Sequence, residues 1–197
     1  MNSFAIALGV LAGLVQLAGY YIYNKHLTSE KIRPNATSWA LWAVGSLMVV
    51  ALYHDLAADW VKEFLPFVCA LALIATFIHM TVRGSFLRPD RLDLEVLALD
   101  AVVVLYWVVS DDPFISNVFL ELDIWITFIP IIRSTWKDPS TEESKPWLIW
   151  TVAYALFTIV VILRWEKWWD LLLPINYLIL HGIIWFLAKR QTHPASV

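Results

Sequence analysis

The sequence predicts an all-α membrane protein of seven transmembrane helices, built as two parallel three-helix repeats joined by a linker helix. Three observations predict it. Of 197 residues, 60% are hydrophobic and the mean hydropathy is +0.66, against about 45–50% apolar in an ordinary soluble domain. The apolar residues gather in runs close to the roughly 20 that a helix needs to cross a bilayer. Trp and Pro also recur at one fixed offset along the chain. The runs lack period-two alternation and are far longer than a barrel strand, so the spans are helical.

The first span, 3–23, begins with no basic n-region and no small-residue cleavage signal, and reads as a retained helix. Gly9, Gly13, Gln16 and Tyr20 form one stripe on it, whose small end permits close packing. Lys25 to Pro34 breaks the chain before span 2, 37–53, and His54 to Asp59 breaks it again. Span 3, 63–82, carries Pro66 and the single Cys69, which has no partner for an internal disulfide. Arg83 to Asp93 precedes span 4, 93–110, with Asp100 near its middle. Asp111-Asp112-Pro113 opens span 5, 113–133, which ends near Pro130. The charged stretch Asp138 to Lys145 reads as a solvated loop before span 6, 147–164. Arg164 to Lys167 leads into span 7, 170–189, which contains Pro174. Pro66, Pro130 and Pro174 are expected to kink their helices and to free backbone carbonyls.

Positive charge orients the chain, because cytoplasmic loops retain Lys and Arg. Loops 1–2, 3–4 and 5–6 and the tail hold Lys25, Lys31, Arg33, Arg83, Arg88, Arg91, Arg133, Lys137, Lys145, Lys189 and Arg190. The other side holds Lys62, Arg164 and Lys167. The expected placement is a multi-pass protein of the plasma (inner) membrane, N-terminus outside and C-terminus cytoplasmic. Asn35-Ala36-Thr37 matches a glycosylation sequon, on the wrong side for modification. Trp60, Trp165, Trp168 and Trp169 mark outer span ends and Trp39, Trp136 and Trp147 inner ones, as an aromatic belt would.

An offset of 108 residues aligns Trp39 with Trp147, Trp42 with Trp150, Trp60 with Trp168, and Pro66 with Pro174. Chance supplies roughly a third of one Trp–Trp match at a given offset. Residues 1–82 therefore read as one three-helix repeat, 83–111 as the linker helix, and 112–197 as the second repeat. The crossing linker gives both repeats the same orientation. Parallel repeats of this kind belong to transporters, with the site near the midplane between them.

The stretch Pro130-Ile-Ile-Arg-Ser-Thr-Trp-Lys-Asp-Pro-Ser140-Thr141-Glu142 resembles the PQ-loop pattern of the superfamily that includes SWEET sugar transporters, cystinosin-like carriers and vitamin transporters of the PnuC type. Here Ile131 replaces the Gln, and the first repeat has Ile22-Tyr23 at the equivalent place. The resemblance implies a 3+1+3 fold and a transporter or receptor class, and supplies no substrate.

Ionisable groups inside a membrane usually face a partner or a wet cavity. Those at mid-span are Asp100, Glu121, Asp123 and His181. Asn117, Glu121 and Trp125 share one face of span 5, and Asp123 with Thr127 another, since residues two apart point to nearly opposite sides. Asp123 is free to pair across helices with Asp100. Pro174, Tyr177, His181 and Trp185 form a stripe on span 7. The expected substrate-binding set is Glu121, His181, Gln16, Asn117, Asn176, Tyr177, Tyr154 and Trp125, with Glu121 and His181 lining a central cavity between the repeats. Glu121, Asp123 and Asp100 are the candidates for proton coupling.

A net charge of −3 offers no basic surface for nucleic acid. No His-rich cluster, H-E-x-x-H or G-x-S-x-G motif occurs, so no catalytic residue, metal or cofactor is expected. The expected partners are a small-molecule solute and the lipid bilayer, and association with copies of itself is compatible with the sequence. The leading expectation is a small-solute carrier, with proton coupling an option. The alternatives are a membrane-embedded enzyme using carboxylate and His acid–base chemistry, and a seven-helix receptor or assembly subunit.

Overall fold

The computed structural model describes residues 3–57, 59–110 and 112–192; Ala58 and Asp111, both placed in breaks by the sequence, lie outside them. Among the described residues there are seven α-helices and no strand: α1 Ser3–Thr28, α2 Ala36–Ala57, α3 Trp60–Arg83, α4 Arg91–Val109, α5 Pro113–Lys137, α6 Ser144–Leu163 and α7 Leu172–Ala188. Short 3-10 turns occupy Pro139–Thr141, Trp168–Leu171 and Lys189–Thr192. Five helical stretches are long and apolar enough to cross a membrane: Ser3–Thr28, Trp60–Arg83, Phe114–Lys137, Ser144–Leu163 and Trp168–Ala188.

The boundaries follow local chemistry. Asp59 caps α3 by accepting from the Val61 amide, and Gly84 closes it in the left-handed conformation, φ 67°. Asp90 and Asp93 form a reciprocal capping box at the start of α4. Asp112 caps α5, with Pro113 in the first turn where its missing N–H costs nothing. Pro66 and Pro130 lie inside their helices. Pro174 does not: α7 begins at Leu172, so Pro174 sits in the first turn, where its missing N–H would have had no intrahelical partner anyway.

The helices close into a ring. In order around it, α1 packs on α3, α3 on α2, α2 on α5, α5 on α7, α7 on α6, and α6 back on α1; α4 lies outside against α5 and α2. Exchanging α1, α2 and α3 for α5, α6 and α7 maps the six contacts of the ring onto one another, while α4 packs on one side only. Loops join at the two ends. The Arg33 amide donates to the Thr141 carbonyl and the Leu87 amide to that of Pro34, which gathers the three Lys/Arg-rich loops at one end. At the opposite end, Lys62 meets Asp170, and Phe114 meets Trp169 at 5.1 Å between ring centres.

The core is aromatic. Tyr20, Tyr23, Trp39, Trp42, Phe128, Trp147, Trp150 and Tyr154 are buried together, with ring centres 4.8 Å apart for Tyr23–Trp39 and 4.9 Å for Trp147–Trp150. Trp39 and Trp147 are thus not belt residues. Both turn inward and are 1% exposed, because the seam between the two helix triplets needs large rings to fill it. Trp60, Trp136, Trp165 and Trp168 are exposed. The stretch Asp138 to Lys145 is not uniformly solvated either, since Thr141 and Glu142 are buried beneath it.

Candidate functional site

Small residues on α1 let α6 approach it, and this approach builds the site. A Cβ on Gly19 would collide with Trp150 Nε1. In its absence that nitrogen donates to the Gln16 carbonyl at 3.2 Å, drawing the indole against α1. Behind this contact lies a chamber at the centre of the ring. Cys69 Sγ is its hub: Gln16 Nε2 donates to it at 3.5 Å, the Tyr20 hydroxyl lies at 3.2 Å, and the Tyr154 hydroxyl donates at 3.7 Å. Tyr154 lies nearly parallel to Tyr177 (centres 4.9 Å) and to His181 (5.1 Å). His181 Nδ1 is 2.6 Å from the Tyr177 carbonyl. A carbonyl only accepts, so Nδ1 carries a proton.

Between these groups is a void of about 10 Å³ lined by Ser46, Val49, Pro66, Cys69, Leu73, Tyr154, Leu173 and Tyr177, room for about one water. Its polar walls are pairs at the 108-residue offset: Ser46 with Tyr154, and Cys69 with Tyr177. One buried acceptor of this core, Gln16 Oε1, has no hydrogen-bond partner. Orphaned buried groups are costly and call for an explanation.

Both ends of the chamber are closed. At the Lys/Arg-rich end, Tyr23 of α1 donates to Glu142 Oε1 (3.1 Å) and Trp147 of α6 donates to Oε2 (2.9 Å). Burial pushes the Glu142 carboxyl up to about 8, the bonds from Trp147 and Tyr23 opposing it. At the other end, the fully buried Lys62 Nζ lies 2.8 Å from Asp170 and 3.5 Å from Glu166, and Arg164 pairs with Asp59. Lys62 and Asp170 are themselves 108 residues apart.

Of the sequence-selected residues, Gln16, Tyr154, Tyr177 and His181 meet at the chamber. Glu121, Asn176 and Trp125 meet elsewhere, on the α5–α7 seam: Asn176 Nδ2 donates to Glu121 Oε2 (2.7 Å) and Trp125 Nε1 to Asn176 Oδ1 (3.0 Å). Glu121 is therefore not among the groups lining the central void, because its helix turn aims it at α7. Asn117 is buried one turn before it. The carboxyls of Asp123 and Asp100 lie beside one another, from α5 and α4. Sequence reasoning passed over Cys69, Glu142, Lys62 and Asp170. The repeat offset carried the signal for three of them, since Cys69/Tyr177 and Lys62/Asp170 are matched positions with chemically different side chains. Among the described residues, no group of three or more His, Cys, Asp or Glu could hold a metal.

A second pocket, about 290 Å³, opens at the Lys/Arg-rich end between Asn35, Asp93, Arg133, Lys137 and Thr141. Compared with protein-family models, curated proteins and solved structures, the chain matches none of them.

Proposed function

We propose that the chain is a small-solute carrier of the plasma membrane, working by alternating access around the central chamber. The observation that carries this reading is the void on which Ser46 and Tyr154, and Cys69 and Tyr177, converge from matched positions of the two triplets. A site shared by two like-oriented units lets one unit rock against the other while the contacts to the solute persist. The exchangeable neighbour list of the ring supports duplication, and with it kinship to the PQ-loop superfamily. In this reading α2 and α4 are spans too, α4 turning Asp93, Val96 and Asp100 inward and Leu94, Leu97, Val102 and Leu105 outward. The Lys/Arg-rich end is then cytoplasmic.

The chamber is narrow, aromatic and free of formal charge, the hydroxyl-bearing Ser46, Tyr154 and Tyr177 line its void, and the Gln16 amide bonds its Cys69 wall. It suits a small polar solute with a flat face to lay on Tyr154. Uptake into proteoliposomes, over a panel of tritiated neutral polar solutes, tests it. Tyr154→Ala and Gln16→Ala should each cut uptake of the transported solute at least tenfold while Asn117→Ala changes it little. Uptake indifferent to both chamber substitutions would remove the site.

A further inference from the structure

A second void of about 10 Å³ lies beside the chamber, enclosed by α2, α5 and α7 and lined by Trp42, Gly45, Ser46, Asp123, Thr127 and Tyr177 among others. Asp123 is 5% exposed, and its Oδ1 has no hydrogen-bond partner. Its carboxyl contacts that of Asp100. With one proton held between the two carboxyls the pair carries one negative charge, and that is the state a cation would bind. No Lys or Arg of the surrounding elements answers it. Residues 36–51 of α2 carry no charge. On α4 the other ionisable groups, Arg91, Asp93, Glu95 and Tyr106, lie more than a turn away. On α5 Glu121 is held by Asn176 and Arg133 pairs with Asp90. On α7 the facing titratable groups are Tyr177 and His181, the latter hydrogen-bonded to the Tyr177 carbonyl.

We propose that Asp123, backed by Asp100, binds one Na⁺-sized monovalent cation in this void. The inference rests on the carrier reading, and it names the ion that carrier would use. The wall chemistry selects the class. Ser46 Oγ donates to the Ala43 carbonyl and Thr127 Oγ1 to that of Ile124, so both hydroxyl protons are spent and the oxygens turn lone pairs outward. Trp42 Nε1 donates to Thr127 Oγ1 at 3.2 Å and fixes it. Hard oxygen donors favour an alkali or alkaline-earth ion over a softer metal, and a single net charge favours a monovalent one. The void admits one dehydrated ion and no hydration shell. Ser46 and Tyr177 also line the central void, so occupancy of one site bears on the shape of the other.

The test is the thermal unfolding midpoint of the purified full chain in detergent, with NaCl titrated against choline chloride at constant ionic strength. The expected result is a saturable rise of a few degrees with Na⁺, smaller with K⁺, and abolished in Asp123→Asn. Ser46→Ala and Thr127→Val remove neutral oxygens without stranding a charge. Each should raise the half-saturating Na⁺ concentration at least threefold, and these two carry the test if Asp123→Asn does not fold. Equal midpoints in Na⁺ and choline overturn the proposal, as does a midpoint that follows pH and ignores Na⁺, or a half-saturation unmoved in both neutral variants. This binding assay needs no solute, so its failure leaves the uptake experiment to judge the carrier reading separately.

Discussion

At the scale of the residue, Glu142 shows how far a side chain can depart from what its sequence neighbourhood suggests. Its surroundings are Asp138, Glu143 and Lys145, a stretch that reads as solvated, and nothing in composition marks one of these carboxylates for burial. The reason lies outside the loop: Tyr23 and Trp147 arrive from α1 and α6 with a hydroxyl and an indole N–H that the carboxyl can accept. Its proton affinity follows from that burial. The carboxyl is raised from 4.5 to about 8, so the folded state binds the proton more tightly than the unfolded chain. The associated stability is complete below about pH 4.5 and is lost as pH rises through 8. Each tenfold difference in proton affinity is worth ~1.4 kcal/mol. Unfolding midpoints measured from pH 5 to 9 should therefore fall for the native chain, and Glu142→Gln should flatten the curve over that window. A slope that survives in Glu142→Gln would assign the titration to another group.

At the scale of the element, the sequence was most informative. Charge and proline located the ends of the seven helices to within five residues, most closely where capping aspartates and Pro113 act locally. Which face of each helix looks inward was harder to read, since every helix is apolar around most of its circumference. Gln16, Tyr154, Tyr177 and His181 were identified because a polar residue at mid-span has few places to go. Trp39 and Trp147 were misplaced because indoles suit both an interface and a seam. The α1–α6 contact gives a sharp test of packing. Gly19→Ala drives a methyl into the Trp150 indole, a rigid ring already bonded to Gln16. It should destabilise by about 1–3 kcal/mol. Gly45→Ala on α2 meets no atom within 4 Å and should gain up to about 1 kcal/mol from helix propensity. Chemical denaturation of the two variants side by side reads the difference, and equal effects would show that the seam is loose.

At the scale of the whole molecule, the two ends of the ring are closed by different chemistry, which makes them separable. One end uses a neutral aromatic packing around Glu142. The other uses charge: Lys62 with Asp170, and Arg164 with Asp59, each pair joining α3 or its cap to the segment between α6 and α7. A buried pair contributes modestly when whole, yet removing one partner strands the other at a cost of about 3–5 kcal/mol. A broken latch therefore opens more readily than a weakened aromatic plug. The chain carries its own reporter, because Cys69 is its single cysteine and sits at the hub of the chamber. In the proposed orientation, a membrane-impermeant maleimide added outside should label native Cys69 slowly. Lys62→Met should raise that rate at least tenfold by admitting water from the Asp170 side. The reciprocal exchange, Lys62→Asp with Asp170→Lys, rebuilds the ion pair between the same two positions and should return labelling toward the native rate. Recovery in the exchange separates a gate from general unfolding, since a merely damaged fold gains nothing from reversing two charges. Labelling unchanged by Lys62→Met would mean that this pair joins the triplets without controlling access to the chamber.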